Sequence, residues 1–482
     1  MSNSIKKNYI LNLINILSGL LFPIITFPYS SRILMADGIG LVNFFQSIIS
    51  YITLFTCIGI PMYATREISR IRDNKKLLSK TSVEILILHG FLTIIGYIAI
   101  AIICSTVAKV QIDIPLFLLL STNIFFTAIG CDWLYYAIED FKYITIRGII
   151  VRLISVILLF TLVKTKNDLF IYAAISTIGG VGSNIFNFVR LRKFIKFNSS
   201  ELRLLQPQKH LKPSLKIFAL NLIISIYVNL DSVMLGFMKD TTAVGYYTSA
   251  TKLTKMILGI ITSLSSVTVP RFSNLYQNGQ LEEFKKLAQK AIDFVMALSL
   301  PLCLGLMVMS PTLINLFCGP TYTPAIITLK LISPIILFIS LSDIIGIQVL
   351  YPQGKENIVM ICTGIGAFTN FILNLILIPQ LNQNGAAIAT SIAEFLVSFS
   401  MIIIGYKYIP FKVLSFKYYK YFVASIIMCL LCYSMLQLKL VEIINLLIIP
   451  LIGIITYCVI LYLLKDQLFL ESYSYIIKKL KR

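Results

Sequence analysis

Charge is what this chain has least of. Only 13% of its 482 residues are Asp, Glu, Lys or Arg, and the acids number 21 against 42 bases. A surface so poor in charge cannot keep a globule of this length in water. Long polar breaks are missing too: none exceeds about 25 residues, which leaves no room for a soluble catalytic domain. Only two histidines occur, His89 in an apolar run and His210 in a basic loop, and neither has a ligand set, so no metal is expected. No Walker sequence is present. Gly364-Ile365-Gly366 falls inside an apolar run instead of behind a strand, which reads as helix packing and not nucleotide binding. The nine cysteines lie mostly in apolar runs; Cys429 and Cys432 have C-x-x-C spacing, but with no second pair they read as small core residues. No cofactor is expected.

What the chain has is apolar sequence, with 57% hydrophobic residues and a mean hydropathy of +0.86. It is arranged in about fourteen runs of roughly twenty residues, the length of a bilayer-spanning helix. The runs fall near 9–30, 40–63, 81–107, 113–138, 148–165, 168–190, 214–238, 244–269, 287–310, 323–350, 358–379, 384–406, 419–438 and 442–464. The fold class expected is therefore an all-α integral membrane protein. The first run follows Lys6 and Lys7 and continues past Pro23 and Pro28 without a small-x-small cleavage site, so it is expected to be a retained helix.

A net charge of +21 would suggest nucleic acid in a soluble protein, so placement decides its meaning. With the N-terminus in the cytoplasm, about 33 of the 42 basic residues fall on inside segments, about 6 outside and about 3 within spans. Both termini are therefore expected inside. The densest basic loops, Arg66 to Lys80 and Arg190 to Lys216, read as topology signals drawn to anionic membrane lipids, and no nucleic-acid partner is expected.

The longest break, Leu191 to Pro213, divides the first twelve spans into two sets of six. The sets begin alike: a turn through Arg32 to Gly40 leads into a polar-faced helix, and Val233 to Gly245 leads into another. A duplicated six-helix unit is how many secondary transporters are built. The expected organisation is a bundle over 1–190, a cytoplasmic linker over 191–213, a pseudo-symmetric bundle over 214–406, and two further helices with a basic tail over 407–482.

Helical spacing turns scattered polar residues into faces. Asn8, Asn12, Asn15, Gly19, Thr26 and Ser30 share a stripe on span one, and Asn43, Ser47, Ser50, Thr53 and Cys57 share one on span two. Asn221, Ser225, Asn229 and Ser232 repeat the pattern on span seven; Thr248, Thr251, Lys252, Lys255, Gly259, Ser263 and Ser266 do so on span eight. Small polar residues also mediate helix packing in lipid, so the lysines carry the argument. Lys252 and Lys255 lie roughly 12 and 16 Å below the outer end, where a charge normally faces water or a partner. Arg32 caps a helix or meets a headgroup, Arg152 lies near the inner end of span five within snorkelling reach, and Lys330 sits close to the outer surface. Asp132, Asp231, Asp343 and Glu394 lie in or beside spans, as ion-pair partners or proton acceptors.

Specific stretches carry a resemblance. Pro28-Tyr29-Ser30-Ser31-Arg32, Gly38-Ile39-Gly40-Leu41-Val42-Asn43 and Gly59-Ile60-Pro61-Met62-Tyr63-Ala64-Thr65-Arg66-Glu67 resemble the amino-terminal signature of the Wzx-type flippases for O-antigen and capsule units, within the multidrug/oligosaccharidyl-lipid/polysaccharide exporter superfamily. Gln348-Val349-Leu350-Tyr351-Pro352-Gln353-Gly354-Lys355-Glu356-Asn357 is similar to that family's loop after span ten, and Asn370 to Pro379 followed by Gly385 to Glu394 is similar to its hairpin. The resemblance implies two six-helix bundles alternating access to a cleft, with two helices at the side. It implies a carrier and not an enzyme, in the bacterial cytoplasmic membrane. The implied substrate is an undecaprenyl-diphosphate-linked oligosaccharide, handed on to a polysaccharide polymerase and chain-length regulator. Carried over by position, Arg32, Arg66, Lys252 and Lys255 are the matching cations. From the polar stripes and the acids in the spans, Asn43, Asn221 and Asn229 are cavity candidates to meet the sugars, and Asp231 and Glu394 are candidate coupling or ion-pair acids.

Three rivals remain open. A flippase for another lipid-linked precursor, such as lipid II, shares the whole pattern. A drug or cation antiporter of the same fold would prefer an acidic, aromatic cavity, which the lysine pair disfavours. A membrane-embedded sugar polymerase or ligase would need a sizeable outer loop.

Overall fold

The computed structural model describes residues 2–195, 205–413, 415–438, 442–471 and 474. Among them the chain is helical, without strands, and it divides into two compact units, Met1–Gly245 and Tyr246–Arg482.

The first unit opens with α1, Ser2–Cys57, which carries the first two expected spans in one helical stretch. It is interrupted at Met35, whose φ of 57° is left-handed. That conformation is costly for a residue with a long side chain, and it falls inside the turn expected between Arg32 and Gly40. The chain then turns through Ile58 and Gly59, both at positive φ, into α2, Ile60–Ile71, with Pro61 at its start. α2 is amphipathic: Ile60, Tyr63, Ala64 and Ile68 are buried, and Arg66 and Arg70 are exposed on the opposite face. Next come α3 (Lys75–Thr106), the short α4 (Ala108–Gln111), α5 (Ile114–Gly130), α6 (Asp132–Ala137) and α7 (Phe141–Leu162). α8 (Leu169–Thr177) and α9 (Asn184–Leu191) form a pair bent by 43°, joined by a π-helical turn that contains three glycines, and α10 (Leu211–Met238) follows the linker.

Two close contacts shape this unit. Gly40 and Gly245, which occupy corresponding places in the two similar stretches, meet backbone to backbone: a Cβ on Gly40 would strike the Thr241 carbonyl, and one on Gly245 the Ala36 carbonyl. At one end of α3, Glu84 is fully buried and fastens the residues that lead into α10. It accepts from the backbone N–H of Gln206 at 2.9 Å, from Lys209 Nζ at 2.6 Å and from His210 Nε2 at 3.0 Å. The Tyr63 hydroxyl completes the cluster at 2.7 Å from His210 Nδ1. That pattern suits a neutral imidazole, and burial pushes the His210 pKa below its ordinary value.

The second unit contains α11 (Thr241–Gln277) from Tyr246 onward, then α12 (Leu281–Cys318). At 37 and 38 residues both are longer than a membrane needs, roughly 55 Å at 1.5 Å per residue. Span ten is built from α13 (Ala325–Ile332), α14 (Ile335–Ser342) and a π-helical segment Asp343–Leu350, with Pro334 at the join. α15 (Glu356–Leu381) and α16 (Gln383–Gly405) form a tight hairpin that turns at Asn382, φ 51°, with Gly385 packed against the Leu377 carbonyl. α17 (Tyr419–Leu436) and α18 (Glu442–Leu463) pack on α12.

Eleven helices among the described residues are long and apolar enough to cross a membrane, or twelve with the bent α8–α9 pair as one span. The fourteen expected are not reached by this measure. α1 counts once although Met35 breaks it, and α10, which carries the seventh expected span, is not among the eleven.

Candidate functional site

Charges inside the spans are the informative groups, because each costs on the order of 3 kcal/mol or more at mid-membrane unless water or a partner meets it. In the first unit two arginines have a carboxylate partner. Arg147 Nη2 donates to Asp132 at 2.8 Å while its Nη1 reaches the Ser183 carbonyl, and Asn187 donates to the same Asp132 oxygen at 2.7 Å. Arg190 pairs with Asp140 at 2.7 Å and stacks 3.9 Å from the centre of the Tyr143 ring.

Arg152 differs. Its Nη1 donates to the Asn15 carbonyl and side-chain oxygen, both at 3.1 Å, and to Ser18 Oγ. Among the described residues no carboxylate lies within ion-pair distance, and Nε and Nη2 make no hydrogen bond. Two glycines make the space: a Cβ on Gly19 would lie 3.6 Å from Nη2, and one on Gly148 3.1 Å from the Asn15 oxygen. The expectation that Arg152 sits near the inner end of its span needs correction. α7 begins at Phe141, ahead of its apolar run, so Arg152 stands at mid-helix, roughly 16 Å from that end. The Asn15 stripe of span one is thus turned toward α7 at this level.

The second unit holds the opposite case. The Asp343 carboxylate accepts from Ser265 Oγ and from Gln348 Nε2 at 3.1 Å; the same Gln348 amide reaches Ser265 Oγ at 2.7 Å, and Thr268 donates to the Gln348 oxygen at 2.8 Å. No cation lies within ion-pair distance among the described residues. The π-helical turn from Asp343 to Leu350 brings the five-apart Asp343 and Gln348 onto one face. Nearby in sequence, the α15–α16 hairpin buries Asn370 and Asn374: Asn374 donates to Asn370 at 3.1 Å, and Thr390 Oγ1 lies 3.4 Å from Asn370 and 3.2 Å from the Tyr247 hydroxyl.

Of the residues selected from sequence, Arg32 and Arg66 are exposed in the first unit, and Asn229 is half-buried on α10 beside the buried Asp231. Asn43 is half-buried and its amide donates to the Ile39 carbonyl of its own helix at 2.7 Å. The Asn221 side chain lies outside the described residues. In the second unit Lys252 is half-buried and Lys255 exposed, both on α11, while Glu394 is buried on α16 one turn past Thr390. Arg147, Arg190 and Asp140 were missed as site residues, and Gln348 was read only as the start of the loop signature. The available cue was that Asp132 and Asp140 occur with two arginines at the inner ends of neighbouring runs.

The model of the family described as "Polysaccharide biosynthesis protein" matches residues 5–276, and the MatE family model matches residues 217–376. Two curated relatives bear the name "Putative O-antigen transporter". The one from Escherichia coli (strain K12) is 25% identical over 83% of this chain and 96% of its own length, and the one from Shigella dysenteriae is 26% identical over 82% and 99%. Among solved structures, the lipid II flippase MurJ in an inward closed conformation superposes with a TM-score of 0.75 over 98% of this chain and 100% of that one, at 17% identity. An inward-facing multidrug resistance MATE family transporter of the MOP superfamily gives 0.65 over 81% and 94%, at 14% identity. These two likenesses show the fold. The family match spans more than half of the chain and agrees with the signature read at Pro28 to Glu67: the chain belongs to the polysaccharide biosynthesis protein family.

Proposed function

We propose that this protein turns undecaprenyl-diphosphate-linked oligosaccharide repeat units from the inner to the outer leaflet of the bacterial cytoplasmic membrane. The observation that carries this reading is the likeness to O-antigen transporters along 83% of the chain. Physical chemistry supports it. A diphosphate bearing sugars cannot cross hydrocarbon unaided, whereas its polyprenyl tail never needs to leave it. A polar cleft open sideways to lipid serves both parts, with cations for phosphate and amides for sugar hydroxyls.

In this proposal the halves 1–190 and 214–406 rock against each other about the substrate, with 407–482 at the side and both termini in the cytoplasm. Arg32, Arg66, Lys252 and Lys255 attract the diphosphate; Asn43, Asn221 and Asn229 meet the sugars. Asp231 and Glu394 either take up protons or balance the cations. No bond is made or broken, and the unit passes to a polymerase and its chain-length regulator.

Deletion of the gene tests this. Surface polysaccharide should disappear, lipid-linked oligosaccharide should accumulate, and the intact chain should reverse both. Lys255→Ala should lose the polymer while the protein stays in the membrane. Normal polymer in the deletion strain, or accumulation of a different lipid-linked precursor, would refute the assigned substrate.

A further inference from the structure

Lys330, like Arg152, has no carboxylate partner among the described residues, and it borders a cavity. It lies five residues into α13, roughly 8 Å from the start of that helix, and it is exposed. Among the described residues its Nζ has no hydrogen-bond or ion-pair partner. Beside it is a cavity of about 500 Å³ enclosed by α12, α13, α17 and α18, at the end of the second unit that the charge distribution assigns to the outside. Thr312, Asn315, Tyr433, Gln437 and Asn445 contribute hydroxyl and amide groups to its lining, and among the described residues no carboxylate lines it. The Tyr433 and Gln437 side chains are exposed and make no hydrogen bond among the described residues. On the same three helices α12, α17 and α18, one to two turns deeper, lies an apolar groove of about 570 Å³ lined by residues such as Met309, Met428 and Ile449.

We propose that this cavity is a binding site for an anionic phospholipid of the outer leaflet whose headgroup carries hydroxyls, the chemistry of phosphatidylglycerol. Charge complementarity selects the occupant. Among the described residues the only charged side chain in the lining is Lys330, which suits one phosphodiester. A zwitterionic lipid would bring its ammonium group beside that lysine, with no acid among the described lining residues to receive it. Hydroxyl and amide side chains around the cation offer partners to a glycerol headgroup, and the groove below accepts an acyl chain where water is absent. The site is independent of the transported substrate: it is a resident-lipid seat on the flank of the unit, where α17 and α18 dock.

Native mass spectrometry of the full chain, released from nanodiscs of mixed phosphatidylglycerol and phosphatidylethanolamine, tests this. The protein should retain phosphatidylglycerol selectively, and Lys330→Gln should lower that retention about fivefold while Lys330→Arg preserves it. Lys166→Gln, which removes a lysine paired with Asp37 at 2.9 Å in the first unit, serves as the comparator and should leave retention unchanged. Equal retention by the wild type and Lys330→Gln would overturn the site, as would equal loss in Lys166→Gln. Preferential retention of phosphatidylethanolamine, or displacement of phosphatidylglycerol by equimolar polyprenyl phosphate, would overturn the assigned occupant.

Discussion

The two units treat an intramembrane charge in opposite ways. In the first, Arg152 is held at mid-helix by Asn15 and Ser18, neutral acceptors that orient the guanidinium without cancelling it. In the second, Asp343 is held by Ser265 and Gln348, neutral donors that orient the carboxylate. A guanidinium keeps its charge at any working pH, so the first arrangement offers a permanent anchor for an anion. A carboxylic acid can lose its charge by taking a proton, so the second offers a switch. The contrast sharpens against Arg147, which has its own carboxylate in Asp132. Pairing marks a charge that holds the bundle together; neutral support marks one left available.

Replacing each charge by its neutral isostere is the way to break this comparison. Arg152→Gln keeps an amide able to reach Asn15 but removes the charge, and transport should fall by more than about tenfold with the protein still inserted. Arg152→Lys should recover part of the loss. Full activity in Arg152→Gln would make the residue a packing staple. Asp343→Asn should have the next largest effect: transport slowed several-fold and its dependence on the proton gradient flattened. An unchanged profile in vesicles with the gradient collapsed would remove Asp343 from any coupling step.

The paired cation gives the control. Asp132→Asn strands Arg147 and should lower thermal stability by about 1 to 3 kcal/mol, less than for a fully buried pair because Asp132 is nearly half exposed. A loss of transport without any loss of stability would show that pairing does not separate structural from functional charges. The smallest effect belongs to the linker. The pKa of His210 is depressed by burial, so the detached imidazole binds protons more readily than the docked one. The cluster with Glu84, Lys209, Tyr63 and the nearby Glu67 should therefore hold above the ordinary imidazole range near pH 6.5 and loosen as pH falls below it. Hydrogen exchange of residues 206–211, corrected for its intrinsic pH dependence, should rise on acidification; exchange that falls would reverse the sign of this account.

How much of this was legible beforehand follows from what periodicity reports. Runs of apolar residues locate helices well because each must satisfy its backbone within lipid. They locate the charged ends poorly. α7 reaches back to Phe141 because Arg147 and the residues around it are paired by other helices, so polar sequence remains helical inside the bundle. The turn between spans one and two was expected, but its pivot at Met35 was not, since a left-handed methionine has no sequence signal. Stripes such as Asn12, Asn15 and Gly19 predicted a face without naming what it faces. Arg152 is 137 residues from Asn15, and only the packed fold brings them together. An α-helix sets residues five apart about 140° round from one another, and no sequence feature signals the π-helical turn that brings Asp343 and Gln348 onto one face.

Vesicles carrying undecaprenyl-diphosphate-linked oligosaccharide with a fluorescent sugar test the central claim most directly, by the rate at which label becomes accessible to a membrane-impermeant quencher. The wild-type chain should expose the inner-leaflet label far faster than protein-free vesicles, with Arg152→Gln close to the protein-free rate. If the wild-type rate matched that of empty vesicles, the chain would not be a flippase for this substrate.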